Sequence, residues 1–587
     1  MDPVTVQVIR NSFVAAADEM KLTMIRTAFN DLVIEVQDFG CVITDPQARL
    51  LAQSDTLPVF LSVLPGAIAV GIERFGAGGF RDGDVFLAND PYTTGTHISD
   101  TAIYMPVFDE AGLLVGFTGC MAHWADIGGK APGGWCPDST DVYQEGLRFD
   151  HIKIADAGVF NEPLLEMIWA NVRLPFIVRG DFGAQMAACK TGARRLLDIH
   201  RRFGSSTVAA ATEVIFDQAE ELFRSAIREI PDGDYDAHGF LDHDGVDRSE
   251  EVEIRVTVRI DDGHVTADFH GSSATRGGPV NCPLPAVRAG VESAIKALTI
   301  PHDRTNAGHG RAFDVLAPER SVVNPTLPAP VDSYGYVYQL VAELVVRALA
   351  DAIPERASAG GYPLFLIYFF RVADAAAEAR SLSEGSFVFV DPAVGGSGAL
   401  AQRDGASALI CLLDGDAPCP VAEMIEARYP LRLERYTLNP TSAGPGRFRG
   451  GMGTVKDYVV LEDGLFSQIS VEGTRHPAWG LHGGDDAEPS RVVLRPGTDD
   501  EETIMDKVGF VGPFIAGDVV SVRTGGGGGW GNPFERDVQA VADDVANELL
   551  SVTDAAERYG VVLDEAGIVD HVATDRRRGL ATRDRPA

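Results

Sequence analysis

His97-Ile98-Ser99-Asp100 opens a stretch that ends in His123-Trp124-Ala125-Asp126, and the segment between the two motifs decides how the chain is read. Thr101 to Phe108 alternates well enough for a strand, Asp109-Glu110-Ala111-Gly112 is a turn signal, and Leu113 to Trp124 is a second strand-like run. Folded antiparallel about that turn, the two runs oppose residues whose numbers sum to about 221. His97 then faces the level of His123 and Trp124, and Asp100 faces Met121. Opposed residues in such a pair lie ~5 Å apart at Cα. Two imidazoles and one or two carboxylates, from His97, Asp100, His123 and Asp126, converge at the open end of one hairpin. Such nitrogen and oxygen donors suit a divalent transition metal (zinc, manganese or iron), with positions left open for water or substrate. The plainer alternative is a set of unrelated surface and turn residues. The duplicated His-x-x-Asp motif at hairpin spacing argues against it.

Working outward, 587 residues are too many for one ordinary core. The expected fold class is α/β (mixed α+β): a large multi-layer body with a long N-terminal helix, mixed sheets and a β-rich C-terminal part. Composition shifts suggest four regions: an N-terminal α/β region with the candidate metal site (1–206), a central α/β region (207–435), a β-rich region (436–535) and a C-terminal helical tail (536–587). A formal net charge of −35 argues against a nucleic-acid partner, because phosphate neutralisation needs basic patches. Seven cysteines without a CxxC pair argue for a reducing cytoplasm and against a disulfide framework or a thiolate zinc site. The opening MDPVTVQVIRN lacks the features of a secretory signal, and no run of about 18 apolar residues predicts a membrane span.

Pro3 to Phe29 reads as one helix, with Asp2 as N-cap, Pro3 in the first turn and Asn30 closing it. Val6, Ile9, Phe13, Met20, Met24 and Ile25 form its apolar stripe. Glu35 and Asp38 precede the strand Cys41 to Thr44, and Val85 to Ala88 delivers Asn89-Asp90-Pro91-Tyr92 to the candidate metal loop. Ile127 to Thr140 is rich in glycine and proline, as in loops that let backbone approach a ligand closely. Later come a hairpin (Glu251 to Ile260, then His264 to His270) and helices near Pro285 to Leu298 and Tyr336 to Ala352. Strands at Phe365 to Val372 and Ser386 to Val390 follow, then a mainly β segment after Tyr436. The tail from Val538 to Tyr559 reads as helix, and the last dozen residues as frayed.

No Walker lysine motif is present. Gly396-x-Gly398-x-x-Ala401 follows a strand, but Gln402-Arg403-Asp404-Gly405 interrupts the helix that should receive a pyrophosphate. The run Gly525 to Gly529 has no following Lys-Ser or Lys-Thr and reads as a turn or tight packing. This chain is therefore not expected to bind ATP by itself. There is no Gly-x-Ser-x-Gly elbow, and Cys41 and Cys120 read as small buried hydrophobes. The catalytic candidates are Asp38 and its neighbour Glu35. A carboxylate there is placed to act as general base, or as nucleophile toward an activated amide, and its alternative role is capping a helix or turn.

Asp38-Phe39-Gly40, Asn89 through Asp100, Pro106-Val107-Phe108, His123-x-x-Asp126-x-Gly128-Gly129, Glu145-Gly146, Asn171-x-Arg173, Gly180-Asp181, Arg449 to Gly453, Gly525 to Gly531 and Glu535-Arg536-Asp537 form an ordered series. The series resembles the hydantoinase B / 5-oxoprolinase family across nearly the whole chain. The resemblance implies a subunit of a hetero-oligomer that works with a hydantoinase A-type partner, which binds ATP with magnesium. Together the two would open a small-molecule cyclic amide (a hydantoin, 5-oxoproline or a lactam). In ketone carboxylase relatives, of the acetone and acetophenone type, the substrate is a ketone. By motif match the metal ligands would be His97, Asp100 and His123, with Asp126 beside them, and Asp38 matches the acidic residue near the site. Phe60 and Trp124 stand where many relatives carry histidine, which predicts a more apolar pocket suited to an aromatic or aliphatic substrate. A subunit that merely positions its ATP-binding partner is the non-enzymatic alternative.

Overall fold

The computed structural model describes residues 1–76, 78–371, 386–415 and 417–581. Its first element is the expected long helix, Pro3–Thr27, capped by the Asp2 carboxylate, which accepts from the Val4 and Thr5 N–H groups. The helix stops short of Phe29. The Phe29 and Asn30 N–H groups turn away to donate to Asp181 Oδ1 at 2.8 and 3.1 Å.

This helix covers one face of a seven-stranded antiparallel sheet. Its strands are β1 (Phe39–Thr44), β2 (Leu50–Gln53), β3 (Val85–Ala88), β4 (Asp100–Phe108), β5 (Leu114–His123), β6 (Ile152–Asp156) and β7 (Val159–Phe160). They lie in the order β2-β1-β5-β4-β3-β6-β7. Alternation along the strands divides the apolar residues between two cores. Cys41, Ile43, Cys120 and Ala122 pack with Phe13, Met20 and Met24 of the first helix and Ala188 of helix Pro175–Phe203. Val42, Tyr104, Phe117 and Met121 pack with Phe60, Leu64 and Ile68 of helix Pro58–Phe75. A sheet covered on both faces needs apolar residues at successive positions, which is why β1 and β5 lack a polar side. Helix Pro58–Phe75 is long and apolar enough to span a bilayer by composition alone. Here it is a core layer, packed between β1, β5 and helix Leu284–Thr299.

The β4–β5 hairpin forms as expected, but two residues along. Asp100 pairs with His123, and Ala102, not Asp100, pairs with Met121. The difference arises at the turn. Asp109 Oδ1 accepts from the N–H groups of Ala111 and Leu113, and a bulge follows Val107. A slip of two residues preserves the faces of both strands, because side chains alternate with period two.

The hairpin Val252–Asp261/His264–Asp268 also forms. It sits in a four-stranded sheet with Gly233–Leu241 and, in parallel, Phe313–Leu316. Helices Leu284–Thr299 and Gly335–Leu349 pack beside it. Two further sheets complete the body: Phe387–Pro392, Leu366–Arg371, Leu465–Ser470 and Lys507–Phe514; and Leu431–Asn439, Gly453–Val460, Val519–Arg523, Arg491–Leu494 and Glu502–Ile504. One apolar core runs from Leu32 to Val522 and is continuous across residues 206 and 435. The tail helix is two helices, Val538–Ala546 and Val552–Tyr559, around a separate small core. A third, His571–Ala581, occupies half of the segment expected to fray. Residues 582–587, and Val372 at the end of its expected strand, lie outside the described residues.

The glycine run is packed backbone against backbone. Gly525 and Gly528 carbonyls accept from Gly396 and Ala399 at 3.1 and 3.0 Å. Gly526 and Gly529 N–H groups donate to Glu488 and Asp485 at 3.3 and 3.0 Å, and Gly527 donates to Gly451 at 3.0 Å. Partners that recur every third residue are those of an extended helix with three residues per turn. A Cβ added at Gly527 would lie 1.9 Å from the Ser397 carbonyl oxygen, and one at Gly398 1.8 Å from that of Ala359. The Gly396-x-Gly398 segment is thus part of this stack. Gly527→Ala is expected to cost about 3 kcal/mol or to prevent folding. Gly66→Ala, in a helix interior with nothing within 4 Å of the new Cβ, is expected to stabilise by about 0.5–1 kcal/mol. Denaturation midpoints check both, and equal shifts would contradict the stacking account.

Candidate metal centre

Asp100 begins β4 and His123 ends β5, so their pairing brings a carboxylate and an imidazole together at the open end of the hairpin. His97 reaches the same point from a turn built by its neighbours. Asp90 caps the one-turn helix Pro91–Thr94, Gly95 follows with φ +88°, and the Asp100 N–H donates to the His97 carbonyl at 3.1 Å. Gly95 is required twice over, since a Cβ there would also lie 2.7 Å from Pro285. Asn89 fixes the loop by donating to the carbonyls of Ile98 and Leu147 at 2.8 and 2.9 Å.

Asp100 Oδ1 lies 3.1 Å from His97 Nε2 and 3.2 Å from His123 Nδ1, and the two imidazole centres are 4.9 Å apart. Donor atoms sharing one ion at about 2.1 Å are themselves about 3.0–3.4 Å apart, so this spacing fits a common ligand. Of the remaining atoms of the triad, Asp100 Oδ2 and His123 Nε2 are buried and make no hydrogen bond, and His97 Nδ1 is buried with Asp332 Oδ1 at 3.5 Å. A buried polar set left this incomplete is costly unless something else occupies it. The residues therefore fit a divalent ion with nitrogen and oxygen ligands, and all three offer an atom within 4.8 Å of the others. Burial disfavours a charged His97, but the carboxylates of Asp100 and Asp332 outweigh it and raise its pKa well above the ordinary value. Burial likewise opposes ionisation of Asp100, yet the two histidines hold its carboxyl down at about 2.

Asp38 joins the site as expected. It lies just before β1, its carbonyl accepts from the His123 N–H at 3.2 Å, and its carboxylate is 4.0 Å from His123 Nδ1. Burial raises its carboxyl to about 6, with the Asp100 charge adding and the histidines opposing. Glu35 is not brought in. It sits on the short π-helical turn Leu32–Val36, whose residues 32 and 36 line the cavity while Glu35 does not.

Asp126 departs from the expected ligand set. It is fully buried, and both carboxylate oxygens are taken: Oδ1 by Arg173 Nη1 (3.0 Å) and the Gly133 N–H (3.3 Å), Oδ2 by the N–H groups of Arg173 (2.7 Å) and Gly128 (3.2 Å). Its charge is matched by Arg173, and its work is to hold the glycine loop in shape. Trp124 is likewise absent from the cavity wall. It is buried on the opposite face, where Nε1 donates to Gln185 and the ring packs near Phe149 and Trp169. Phe60 does line the cavity.

Several residues that line the cavity or back its ligands come from segments that carry no recognisable motif. Asp332 Oδ1 stands 3.5 Å from His97 Nδ1, behind the imidazole, while its Oδ2 accepts from the Cys136 N–H at 2.6 Å. Glu145 Oε1 accepts from Val331 N–H, Asp332 N–H and Ser139 Oγ at 2.9, 3.1 and 2.7 Å, fastening that segment to the glycine loop. Burial, with Asp332 adding, pushes the Glu145 carboxyl up to about 8. Trp135 meets His97 edge-on and stacks on Tyr368 at 5.8 Å, and Tyr334 lies 5.6 Å from His97. Asp414 completes the wall of a cavity of about 80 Å³. The only sequence signal for Asp332 is the rigid Pro328-Ala329-Pro330 before it.

His97→Ala is expected to abolish stoichiometric metal binding and to lower the thermal midpoint without preventing folding, because the buried Asp100 carboxylate loses a partner. Asp126→Asn is expected to keep the metal while losing about 2 kcal/mol of stability, because Arg173 loses its charged partner. Elemental analysis beside thermal unfolding separates the two. Metal loss in Asp126→Asn with unchanged stability would return that residue to the ligand set.

Residues 2–533 match the profile of the family described as Hydantoinase B/oxoprolinase. The B-type component assigned to a D-/L-hydantoinase of Pseudomonas sp. (strain NS671) is 32% identical, over 98% of both chains. The beta component of the Pseudomonas jessenii caprolactamase is 30% identical over 98% of this chain and 99% of its own. The 5-oxoprolinase 1 of Arabidopsis thaliana is 26% identical, and 42% of its length is covered. Among solved structures, the ATP-dependent caprolactamase of Pseudomonas jessenii superposes with a TM-score of 0.88 at 28% identity, covering 99% of this chain and 100% of that one. Nucleotide-free acetone carboxylase superposes at 0.89 and 20% identity, covering 83% of its chain, a likeness of fold. The match along the chain and the full-length relatives agree: this protein belongs to the hydantoinase B/oxoprolinase family.

Proposed function

We propose that this chain is the metal-bearing subunit of a two-component, ATP-dependent enzyme that opens a cyclic amide, working with a hydantoinase A-type partner that binds ATP and magnesium. The observation that carries this reading is the buried His97–Asp100–His123 triad, with its unsatisfied polar atoms, at a cavity shared with Asp38. The hydantoinase and caprolactamase relatives are both named as one component of a larger enzyme, which supports the two-component part.

A divalent ion held by the triad would supply Lewis acidity toward an amide oxygen, or a bound water with its pKa lowered toward ~7. The rest falls to the chain itself. Trp135 and Tyr368 present a stacked pair of rings, and Phe60, Leu364 and Leu366 add apolar wall, so a small ring is desolvated and held in one plane. Asp38 lies on the hairpin side, placed to take the proton from an attacking water or to attack the carbonyl carbon directly. Asp332 backs His97 and fixes its ring against rotation.

Co-expression with the ATP-binding partner is expected to give ring opening that consumes ATP, stops on treatment with a chelator and returns on adding the metal. Asp38→Asn is expected to lower turnover by at least about 100-fold with the metal retained. Bicarbonate-dependent carbon–carbon bond formation from a ketone, without ring opening, would replace this reading with that of a ketone carboxylase subunit.

A further inference from the structure

Among the described residues, Asp38, Asp100 and Asp414 are the acids of the cavity wall, and the histidines and tyrosines are its other ionisable groups. Among the described residues no lysine or arginine lines it. Two other clefts differ: one is lined by Arg288, another by Arg347 and Arg475. Asp414 enters from the turn Leu412–Asp414, next to the start of helix Pro58–Phe75, where a Cβ on Gly415 would touch Pro58. The side chain that contacts its carboxylate is the Cys411 thiol, at 3.5 Å, and the nearby charge that acts on it is Asp38. It therefore lies in the same cavity as Asp38 and within reach of its charge.

Resting on the function proposed above, we propose that Asp414 is the specificity-determining residue of this cavity, accepting an N–H from an uncharged ring amide and excluding rings that carry a carboxylate. A ring held with its carbonyl oxygen toward the triad directs a substituent on the carbon beside nitrogen into one of two surroundings. One is the apolar wall of Phe60, Leu364 and Leu366, and the other is the Asp38–Asp414 side. The first leaves a carboxylate buried and unpaired, and the second sets it against like charge. An uncharged ring meets neither penalty, and its N–H gives the half-buried Asp414 carboxylate a donor. Burial and the Asp38 charge push the Asp414 carboxyl up to about 7, in keeping with a wall that rejects further negative charge. Hydantoins and plain lactams fall within the accepted class, and 5-oxoproline, ionised at neutral pH, falls outside it.

The test uses three compounds on one five-membered ring: 2-pyrrolidinone, 5-oxoprolinamide and 5-oxoprolinate. Their binding to the metal-loaded full chain, co-purified with its ATP-binding partner, is measured by calorimetry. The two uncharged rings are expected to bind at least about 100-fold more tightly than 5-oxoprolinate. Asp414→Lys is expected to reverse the order of 5-oxoprolinamide and 5-oxoprolinate. Asp414→Asn, which keeps the shape, is expected to narrow the gap by about 10-fold with an unchanged thermal midpoint. Equal binding of amide and carboxylate by the wild type, or a gap that Asp414→Asn leaves intact, overturns the inference while leaving ring opening in place. Failure of all three rings to bind overturns the proposed function itself.

Discussion

The pairing of Asp100 with His123 across β4 and β5 makes every other part of the site necessary. It puts a carboxylate and an imidazole in a sheet end that is buried on both faces, where neither is hydrated. Such a pair is stable only if its remaining lone pairs and charge are answered nearby. His97 answers on one side, with Asp332 behind it, and the Asn89–Gly95 loop exists to deliver His97 to within 3.1 Å. The hairpin can hold this charge because its strands are clamped by two independent cores, one on each face.

The cavity shows a division of labour between polar and apolar segments. The β4–β5 hairpin and the turn before it contribute the donor atoms, and the aromatic and aliphatic walls come from Phe60 and Trp135 together with Tyr334, Leu364, Leu366 and Tyr368. The glycine loop between Asp126 and Glu145 joins them. Asp126 shapes its near end through Arg173, and Glu145 ties its far end to the segment carrying Asp332. Two residues that look like ligands or acids by type thus serve to bring two distant parts of the chain into register.

Much of the first sheet and the core of the site was legible in the sequence. The repeated His-x-x-Asp spacing on either side of a turn pointed to His97, Asp100 and His123, and the error of two residues in register left them on the right face because strand parity was intact. Asp126 shows the limit of spacing: an identical motif position says nothing about Arg173, 47 residues away, which claims the carboxylate. Glu35 lies on a π turn of which residues 32 and 36, but not 35, line the cavity. Asp332, Tyr368 and Asp414 were illegible because they reach the site through tertiary packing alone, with no local pattern to mark them. Trp124 looked like pocket lining through its neighbour His123, yet alternation along β5 sends the two to opposite faces.

The glycine stack has a bearing on how this body is assembled. It knits together segments near residues 360, 396, 450, 485 and 527 largely through main-chain contacts. Glycine offers no side chain by which one of these segments could recognise its neighbour. During synthesis the hairpin with its histidines leaves the ribosome long before Tyr334, Tyr368 and Asp414 exist, and the glycine stack closes later still. The triad side chains are therefore made well before the residues that complete their wall, and the chamber can close only after Asp414 has emerged.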